Sequence, residues 1–520
     1  MVPDPPVLRP RHRRPIALRE LFGPELIGAG LLDTGVDQTV SGITLDSRMV
    51  EPGDLYVALP GRHHHGAAFS SQAVEQGAVA VLTDAAGGGL ITGLSVPVVV
   101  VDEPRQVMAA VAATIYGRPA DAMTMYAVTG TNGKTTTTFL LEAALAAAGV
   151  RTGLIGTIGF RFDGRAVDAP RTTVTTPEST ELQGLLGYLR DEGAEAVLME
   201  VSSHALVLGR ADAITFAVSA FTNLGRDHLD FHGDEESYFA AKAALFTPDR
   251  TRHAVINIDD PRGRVLAEQL RRDGAVSVTT VSLSGSADCR ALAYAVAPDG
   301  RSVVRAEVSG QLVEFSLGLP GDFNVRNALT ALAMIAAVGG DLPAAAVGLA
   351  EASVPGRLQR VPLGPEAPTV YVDFAHTPQA VTAALQAIGS GRRIAVLGCG
   401  GDRDPQKRGP MGEAAVQNAD LVVVTDDNPR SESPAAIRSE VLAGARAAIH
   451  AHGLASEVVD GGDRRSAIRQ ALRRAQPGDA VAILGKGHEL GQEVAGEVRP
   501  FDDVTVATEE WHALHSGTSR

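Results

Sequence analysis

Short β-branched runs separated by Ala- and Leu-rich stretches recur along most of this 520-residue chain, and that alternation is what most limits the folds open to it. A parallel strand pair needs a long crossover, and a helix supplies one, so the pattern favours an α/β protein with largely parallel sheets. A single hydrophobic core stops growing near roughly 250–300 residues, so about three domains are expected. The first block, 1–121, holds DLYVALPG (54–61), VAVLTD (79–84) and PVVVVD (97–102), and closes on the turn Gly117-Arg118-Pro119. The second, 122–354, carries MTMYAVT (123–129), AVLMEVS (196–202), ITFAVSAFTN (214–223) and HAVINID (253–259). Alternating segments between 291 and 317 read as an antiparallel appendage, a helix from about Asn324 closes the block, and SVPGR (353–357) reads as a linker. The third, 355–520, repeats the alternation through TVYVDFA, RRIAVLGCGG, DLVVVTDD and DAVAILGKG (479–487). Each of these strands ends in a polar or Gly-rich loop, the place where doubly wound sheets hold ligands.

The formal charge of −15 disfavours non-specific binding to nucleic acid or anionic lipid, so a phosphate ligand would need a local basic pocket. Cys289 and Cys399 are the two cysteines, too few for a disulfide framework and without metal-ligand spacing; they suit a reducing cytosol, and a cytoplasmic protein is expected. The basic start, Arg9 to Pro15, is followed by no apolar segment of signal-peptide length, and no stretch approaches a membrane span. Residues 1 to about 15 read as a frayed tail.

The strongest local signal is Gly130-Thr131-Asn132-Gly133-Lys134-Thr135-Thr136, set between an expected strand and an expected helix that Gly149 can end. Small residues let backbone N–H groups approach phosphates, the helix N-terminus adds positive potential, Lys134 reaches the transferred group and Thr135 can ligate Mg²⁺. The strict phosphate-loop pattern fails, because its first Gly would fall on Val128, so an ordinary Gly-rich turn stays open on these residues alone. Glu200 ends a hydrophobic strand, where a buried carboxylate suits a cation. Read alone, His228 is a solvated loop histidine, Lys242 a surface lysine snorkelling past Phe239 and Phe246, and Asn324 and Asn327 helix-capping residues.

GTNGKT (130–135) resembles the phosphate loop of the Mur ligases and of the related folylpolyglutamate synthetases. MEVSSHAL (199–206), FTNLGRDHLDFHG (221–233), YFAAKAALF (238–246), FNVRNALTA (323–331), PGRLQRV (355–361), DFAHTP (373–378), GCGGDRD (398–404), DDNPR (426–430) and GKGHE (485–489) follow in the order of the diaminopimelate-adding branch of the Mur ligase family. The resemblance implies a central P-loop ATPase-type sheet with the antiparallel appendage, a C-terminal Rossmann-like doubly wound sheet and a smaller N-terminal α/β domain. It also implies an ATP- and Mg²⁺-dependent amide-forming ligase. The γ-phosphoryl group would pass to the D-glutamyl carboxylate of UDP-N-acetylmuramoyl-L-alanyl-D-glutamate, and the amine of meso-diaminopimelate would then displace phosphate.

By the same resemblance Glu200 and His228 are metal ligands with Thr135, and Lys242 joins them as a carbamate. Asn324 and Asn327 face adenine, Arg357 the phosphates and Asp373 the ribose. Leu45, Ser47, Arg62, His63 and His64 match the uridine-diphosphate contacts, although the His run is equally an exposed loop or a fortuitous metal trap. Thr175, Thr176, Ser202 and Arg210 match residues holding the muramoyl-peptide, while Val174 and Leu208 replace polar amides found in some relatives. Arg403, Asp427, Asn428, Pro429, Arg430, Gly485 and Glu489 match the diaminopimelate pocket. His376 either positions the attacking amine or is a buried structural histidine. Small-molecule substrates, a monomer, and closure of the domains over them are expected, with neither nucleic acid nor membrane insertion. A lysine-adding Mur ligase, a folylpolyglutamate synthetase-like ligase and a nucleotide-gated ATPase or binding protein are the alternatives.

Overall fold

The computed structural model describes residues 8–27, 37–61, 63–169, 174–225, 227–297, 301–389 and 391–515, in two compact units. The first unit runs through Leu292 and takes in 305–314 and 326–349; the second comprises 293–304, 315–325 and the chain from Ala350.

Four parallel strands, Gly42–Thr44, Asp54–Ala58, Ala80–Thr83 and Val98–Val100, form the N-terminal sheet in chain order. Successive side chains of a strand face opposite ways, so Leu55 and Val57 pack with Leu18, Met108 and Ile115 while Tyr56 and Ala58 pack with Ala67 and Ala73. Burial on both faces is why these strands read as unbroken apolar runs.

The central sheet is larger. Its parallel strands lie in the order Thr152–Gly156, Ala196–Glu200, Thr124–Thr129, Phe216–Phe221, Thr251–Asn257, Ser277–Ser282. Gly159–Phe162 and Arg165–Val167 extend one edge antiparallel. Cys289–Val296, Ser302–Val308 and Gln311–Leu317 extend the other. Ser309 and Gly310, with φ of 48° and 82°, join the last two strands by the two-residue turn that suits a right-twisted hairpin, which gives the expected appendage its antiparallel character. The helix Lys134–Ala147 ends as expected: Gly149 takes a φ of 79° and its N–H bonds Ala146 O at 3.0 Å.

In the second unit the sheet order is Gln359–Val361, Thr369–Asp373, Ala480–Leu484, Arg393–Cys399, Leu421–Asp426, Glu457–Gly462, parallel apart from the first strand. The last parallel strand in sequence therefore inserts between the first two. That switch brings the loops DFAHTP, GKGHE, GCGGDRD and DDNPR to the carboxyl ends of four adjacent strands. Among the described residues no helix is long and apolar enough to cross a membrane.

The tail reading is corrected for residues 8–15. Arg9 is buried, and its Nη1 donates to Asp54 Oδ1 and Oδ2 at 2.7 and 2.9 Å. Arg13 pairs with Glu51 at 2.8 Å, and Arg11 N–H donates to Asp191 Oδ2 at 3.1 Å. A Cβ on Gly187 would meet the ring of Pro10 at 2.7 Å. The segment thus straps the N-terminal sheet to the helix Ser179–Asp191, and the basic residues that suggested fraying are what fastens it. Arg9→Ala leaves Asp54 buried without its guanidinium, and the free energy of unfolding should fall by about 3 kcal/mol in urea denaturation; an unchanged midpoint would restore the frayed tail.

Candidate functional site

The strand Thr124–Thr129 delivers the chain into Gly130, at a φ of 146°, and Gly133, at 88°, before the helix opens at Lys134. Both glycines are required by contact as well as by φ: a Cβ on Gly130 would lie 1.9 Å from Thr222 Oγ1, and one on Gly133 2.7 Å from Asn327 Oδ1. The next parallel strand braces the loop. Thr131 N–H donates to Asn223 O at 2.9 Å and Asn132 N–H to Asn223 Oδ1 at 3.0 Å, while Thr222 Oγ1 donates to Asn132 O at 2.6 Å. Those two amides are therefore engaged, and a phosphate would be met from Gly133 onward, where the first-turn N–H groups have no intrahelical acceptor. Lys134 Nζ folds back onto Gly130 O and Thr131 O at 2.9 and 3.0 Å, and Thr136 is buried behind it.

Glu200 ends the neighbouring strand and is wholly buried. Its carboxylate accepts from Thr135 Oγ1, Thr157 N–H and Thr157 Oγ1, each at 2.9 Å. Neutral donors satisfying a buried anion leave it suited to a divalent cation, which prefers oxygen ligands. Thr157 extends the network to Thr175 Oγ1 at 3.1 Å, and Thr176 Oγ1 donates to Glu200 O at 2.9 Å. Ser202 N–H donates to Thr176 Oγ1 at 3.2 Å, and Arg210 donates to Thr176 O at 3.3 Å and to Glu178 at 3.0 Å. The four residues expected at the muramoyl-peptide thus form one chain of hydrogen bonds with the phosphate loop. Thr157 carried no sequence signal.

Lys242 is buried and not on the surface, and its Nζ donates to Gly130 O at 2.9 Å beside the ring of Tyr238. Burial, and then the nearby Lys134 charge, hold its pKa well below the ordinary lysine value. His228 is half-exposed at a φ of 53°, 3.4 Å from Asp227, and burial lowers its pKa. Sequence reasoning missed its neighbours: His204, 4.8 Å away ring to ring and pushed by burial to a pKa of about 4, and His232, which bonds Ser203 Oγ at 2.9 Å. Among the described residues no three His, Cys, Asp or Glu side chains converge as a metal-binding group. The expected ligand set contains only two such residues, because Thr135 is a hydroxyl and Lys242 ligates only as a carbamate.

In the N-terminal sheet Ser47 Oγ donates to Gln72 Oε1 at 3.2 Å, next to the partly buried Leu45. His63 and His64 are exposed, His65 is tied to Asp84 at 3.1 Å, and Arg62 lies outside the described residues. Val174 and Leu208 are the apolar departures noted above, and Val174 is exposed.

In the second unit Asn324 Nδ2 donates to Pro320 O at 2.7 Å, unlike the acceptor role of an N-cap. Arg357 stacks over Phe374, and the Asp373 carboxylate accepts from Leu358 N–H and Ala375 N–H at 2.7 and 2.8 Å. Burial raises the Asp373 pKa against the pull of Arg357. His376 is exposed and bonds Phe374 O at 2.8 Å, so it is not a buried structural histidine.

Arg430 sits at a φ of 52°, with Nη1 donating to Gly401 O at 2.7 Å. Asn428 donates to Glu489 Oε2 at 2.7 Å, and the wholly buried Lys486 bonds both Asn428 and Glu489. A Cβ on Gly485 would lie 2.4 Å from Asp427 Oδ2. Pro429 is buried and Arg403 is exposed. Asp427, Asn428, Arg430, Gly485 and Glu489 are therefore brought together.

Gly156 sets the position of the Glu200 carboxylate, since a Cβ there would lie 2.2 Å from Oε1. Gly156→Ala should keep the far-ultraviolet spectrum and lower ATP turnover about a hundredfold, the cost of displacing a reacting group by an ångström; turnover near wild type would remove Glu200 from the site.

Three family models match the chain: "Mur ligase family, catalytic domain" over residues 39–116, "Mur ligase middle domain" over 128–335 and "Mur ligase, glutamate ligase domain" over 356–487. A Streptomyces coelicolor protein named UDP-N-acetylmuramoyl-L-alanyl-D-glutamate–2,6-diaminopimelate ligase is 47% identical over 98% of each chain. A Leifsonia xyli protein named UDP-N-acetylmuramyl-tripeptide synthetase is 43% identical over 98% of this chain and 99% of its own. A solved structure, titled as that of a UDP-N-acetylmuramoyl-L-alanyl-D-glutamate–2,6-diaminopimelate ligase, superposes with a TM-score of 0.68 at 31% identity, covering 96% of this chain and all of the other. Phosphate-loop geometry, the strand-end carboxylate beside it and nearly full-length similarity agree: the chain belongs to the Mur ligase family.

Proposed function

We propose that the protein joins meso-2,6-diaminopimelate to the D-glutamyl carboxylate of UDP-N-acetylmuramoyl-L-alanyl-D-glutamate, converting ATP to ADP and phosphate through an acyl phosphate. The observation that carries this reading is the unbroken set of hydrogen bonds from Thr135 through Glu200 and Thr157 to Thr175, Thr176, Ser202 and Arg210. In this reading the phosphate site and the site for the acceptor carboxylate lie side by side along that set of bonds.

In this reading Lys134 exchanges its two loop carbonyls for the moving phosphoryl group, a charge placed before the reaction needs it. Asn324, Asn327, Arg357 and Asp373 hold the nucleotide, and Leu45, Ser47, His63 and His64 the uridine diphosphate. Arg210, fixed by Glu178, orients the acceptor peptide. Thr135, Glu200, His228 and Lys242 would hold magnesium, which when bound neutralises charge on the phosphoryl oxygens.

The depressed pKa of Lys242 supports its carbamate. A neutral amine attacks CO₂, a C–N bond forms and a proton leaves, which replaces an ammonium crowded against Lys134 by an anionic oxygen ligand. The lowered pKa keeps the amine neutral over a wider range; as pH falls through it the ammonium returns, and carbamate and activity should be lost together. Lys242→Ala should be inactive and partly rescued by a short carboxylate. Full activity in that variant, or an unmodified lysine in the mass spectrum of active enzyme, would exclude the carbamate.

Diaminopimelate differs from lysine by a second carboxylate, and Arg430 presents a planar fork suited to it. Lysine would leave that guanidinium without its ligand, at a cost of about 2 kcal/mol, or roughly thirtyfold in relative kcat/KM. Competition between the two amino acids tests this. Strong preference for diaminopimelate is expected, with its collapse in Arg430→Ala; equal use of lysine by wild type, or an unchanged ratio in the variant, would overturn the specificity assignment and leave the ligase assignment standing.

A further inference from the structure

The hairpin Gly491–Val494 and Glu497–Pro500 follows GKGHE directly and grips the Asp427–Arg430 loop at several points. Gln492 Nε2 donates to Asp427 O at 2.6 Å and Glu493 N–H to Asn428 Oδ1 at 3.0 Å. Arg430 N–H donates to Glu493 O at 3.0 Å, and Ala495 N–H returns a bond to Arg430 O at 2.7 Å. These contacts fix the backbone of residue 493 against that of residue 430, and the Glu493 carboxylate lies 3.4 Å from Arg430 Nε. The pair is not sealed in: the Glu493 side chain is 41% exposed and that of Arg430 23%. Arg430 Nη1 meanwhile rests on the Gly401 carbonyl.

Resting on the reading that Arg430 receives the second carboxylate of the amino acid, we propose that Glu493 is a specificity-determining residue, an internal carboxylate that shares the Arg430 guanidinium with the incoming substrate. Two consequences follow from charge alone. A diaminopimelate carboxylate arrives beside a like charge, which weakens its binding. Lysine, which brings no carboxylate, leaves Arg430 still accompanied by Glu493, so its rejection is softened. Glu493 therefore trades discrimination for a guanidinium that stays positioned between turnovers.

The test is Glu493→Gln, which keeps side-chain length and every backbone bond of the hairpin, with KM and kcat measured for both amino acids. An exposed ion pair at this distance is worth roughly two- to fivefold in affinity. The KM for diaminopimelate should fall by about that factor with kcat unchanged, and the diaminopimelate-to-lysine ratio of kcat/KM should rise. Glu493→Ala should move both in the same direction, and in an Arg430→Ala background the ratio should rise by less, since only the direct repulsion of the incoming carboxylate is left to relieve. A ratio that stays constant or falls in Glu493→Gln, while Arg430→Ala alone collapses it, overturns the role of Glu493 and leaves the amino-acid assignment standing. A ratio indifferent to Arg430→Ala overturns the role of Glu493 together with the reading that Arg430 receives the second carboxylate.

Discussion

A single buried carboxylate organises the first unit. Glu200 reaches its place because a parallel strand ends there, one strand away from the phosphate loop, and hydroxyls and an amide supply its hydrogen bonds. Burying a carboxylate without those donors would cost several kcal/mol. Thr135 ties it to the helix that follows the loop, Gly156 leaves it room, and its own carbonyl fixes Thr176. The nucleotide side and the acceptor side of the proposed reaction are then positioned by the same residue, which is what an in-line transfer between two bound substrates requires.

The second unit solves a comparable problem with cations. Arg464 is wholly buried, pairs with Asp503 through Nε and Nη2 at 2.7 and 2.6 Å, and donates to Leu484 O at 3.0 Å, so it anchors the strand end from which Gly485, Lys486 and Glu489 emerge. Lys486 does the same within the loop by bonding Asn428 and Glu489. Their partners take up these buried charges, whereas Arg430 is partly exposed and Arg403 exposed.

The parts of this legible in the sequence are those in which local pattern and tertiary environment agree. Unbroken apolar runs such as those at 124–129, 196–200 and 421–426 are strands because parallel sheets are covered on both faces. Glycines at positive φ mark the phosphate loop and Gly485. The strands Thr152–Gly156, Ser277–Ser282 and Glu457–Gly462 went unread, since glycines or polar residues interrupt them and pairing with neighbours makes them strands. Arg9 and Lys242 misled by type: long cationic side chains belong on the surface unless something distant accepts them, and Asp54 and Gly130 O are 45 and 112 residues away. The positive φ of His228 and Arg430, which aims both side chains, leaves no mark in composition or spacing. Glu493 was invisible for a different reason: backbone bonds to a loop far back in the chain bring its carboxylate beside Arg430.

In the proposed reaction the phosphate loop and the acceptor site act as one device through Glu200. The direct measurement is ADP release by the purified protein with each substrate withheld in turn. Sustained ADP release should require the UDP-muramoyl dipeptide and a diamino acid together, with one ADP for each amide formed. ADP released at the same rate without the dipeptide, or without any amide product, would contradict it and make the chain a nucleotide-driven switch on a ligase fold.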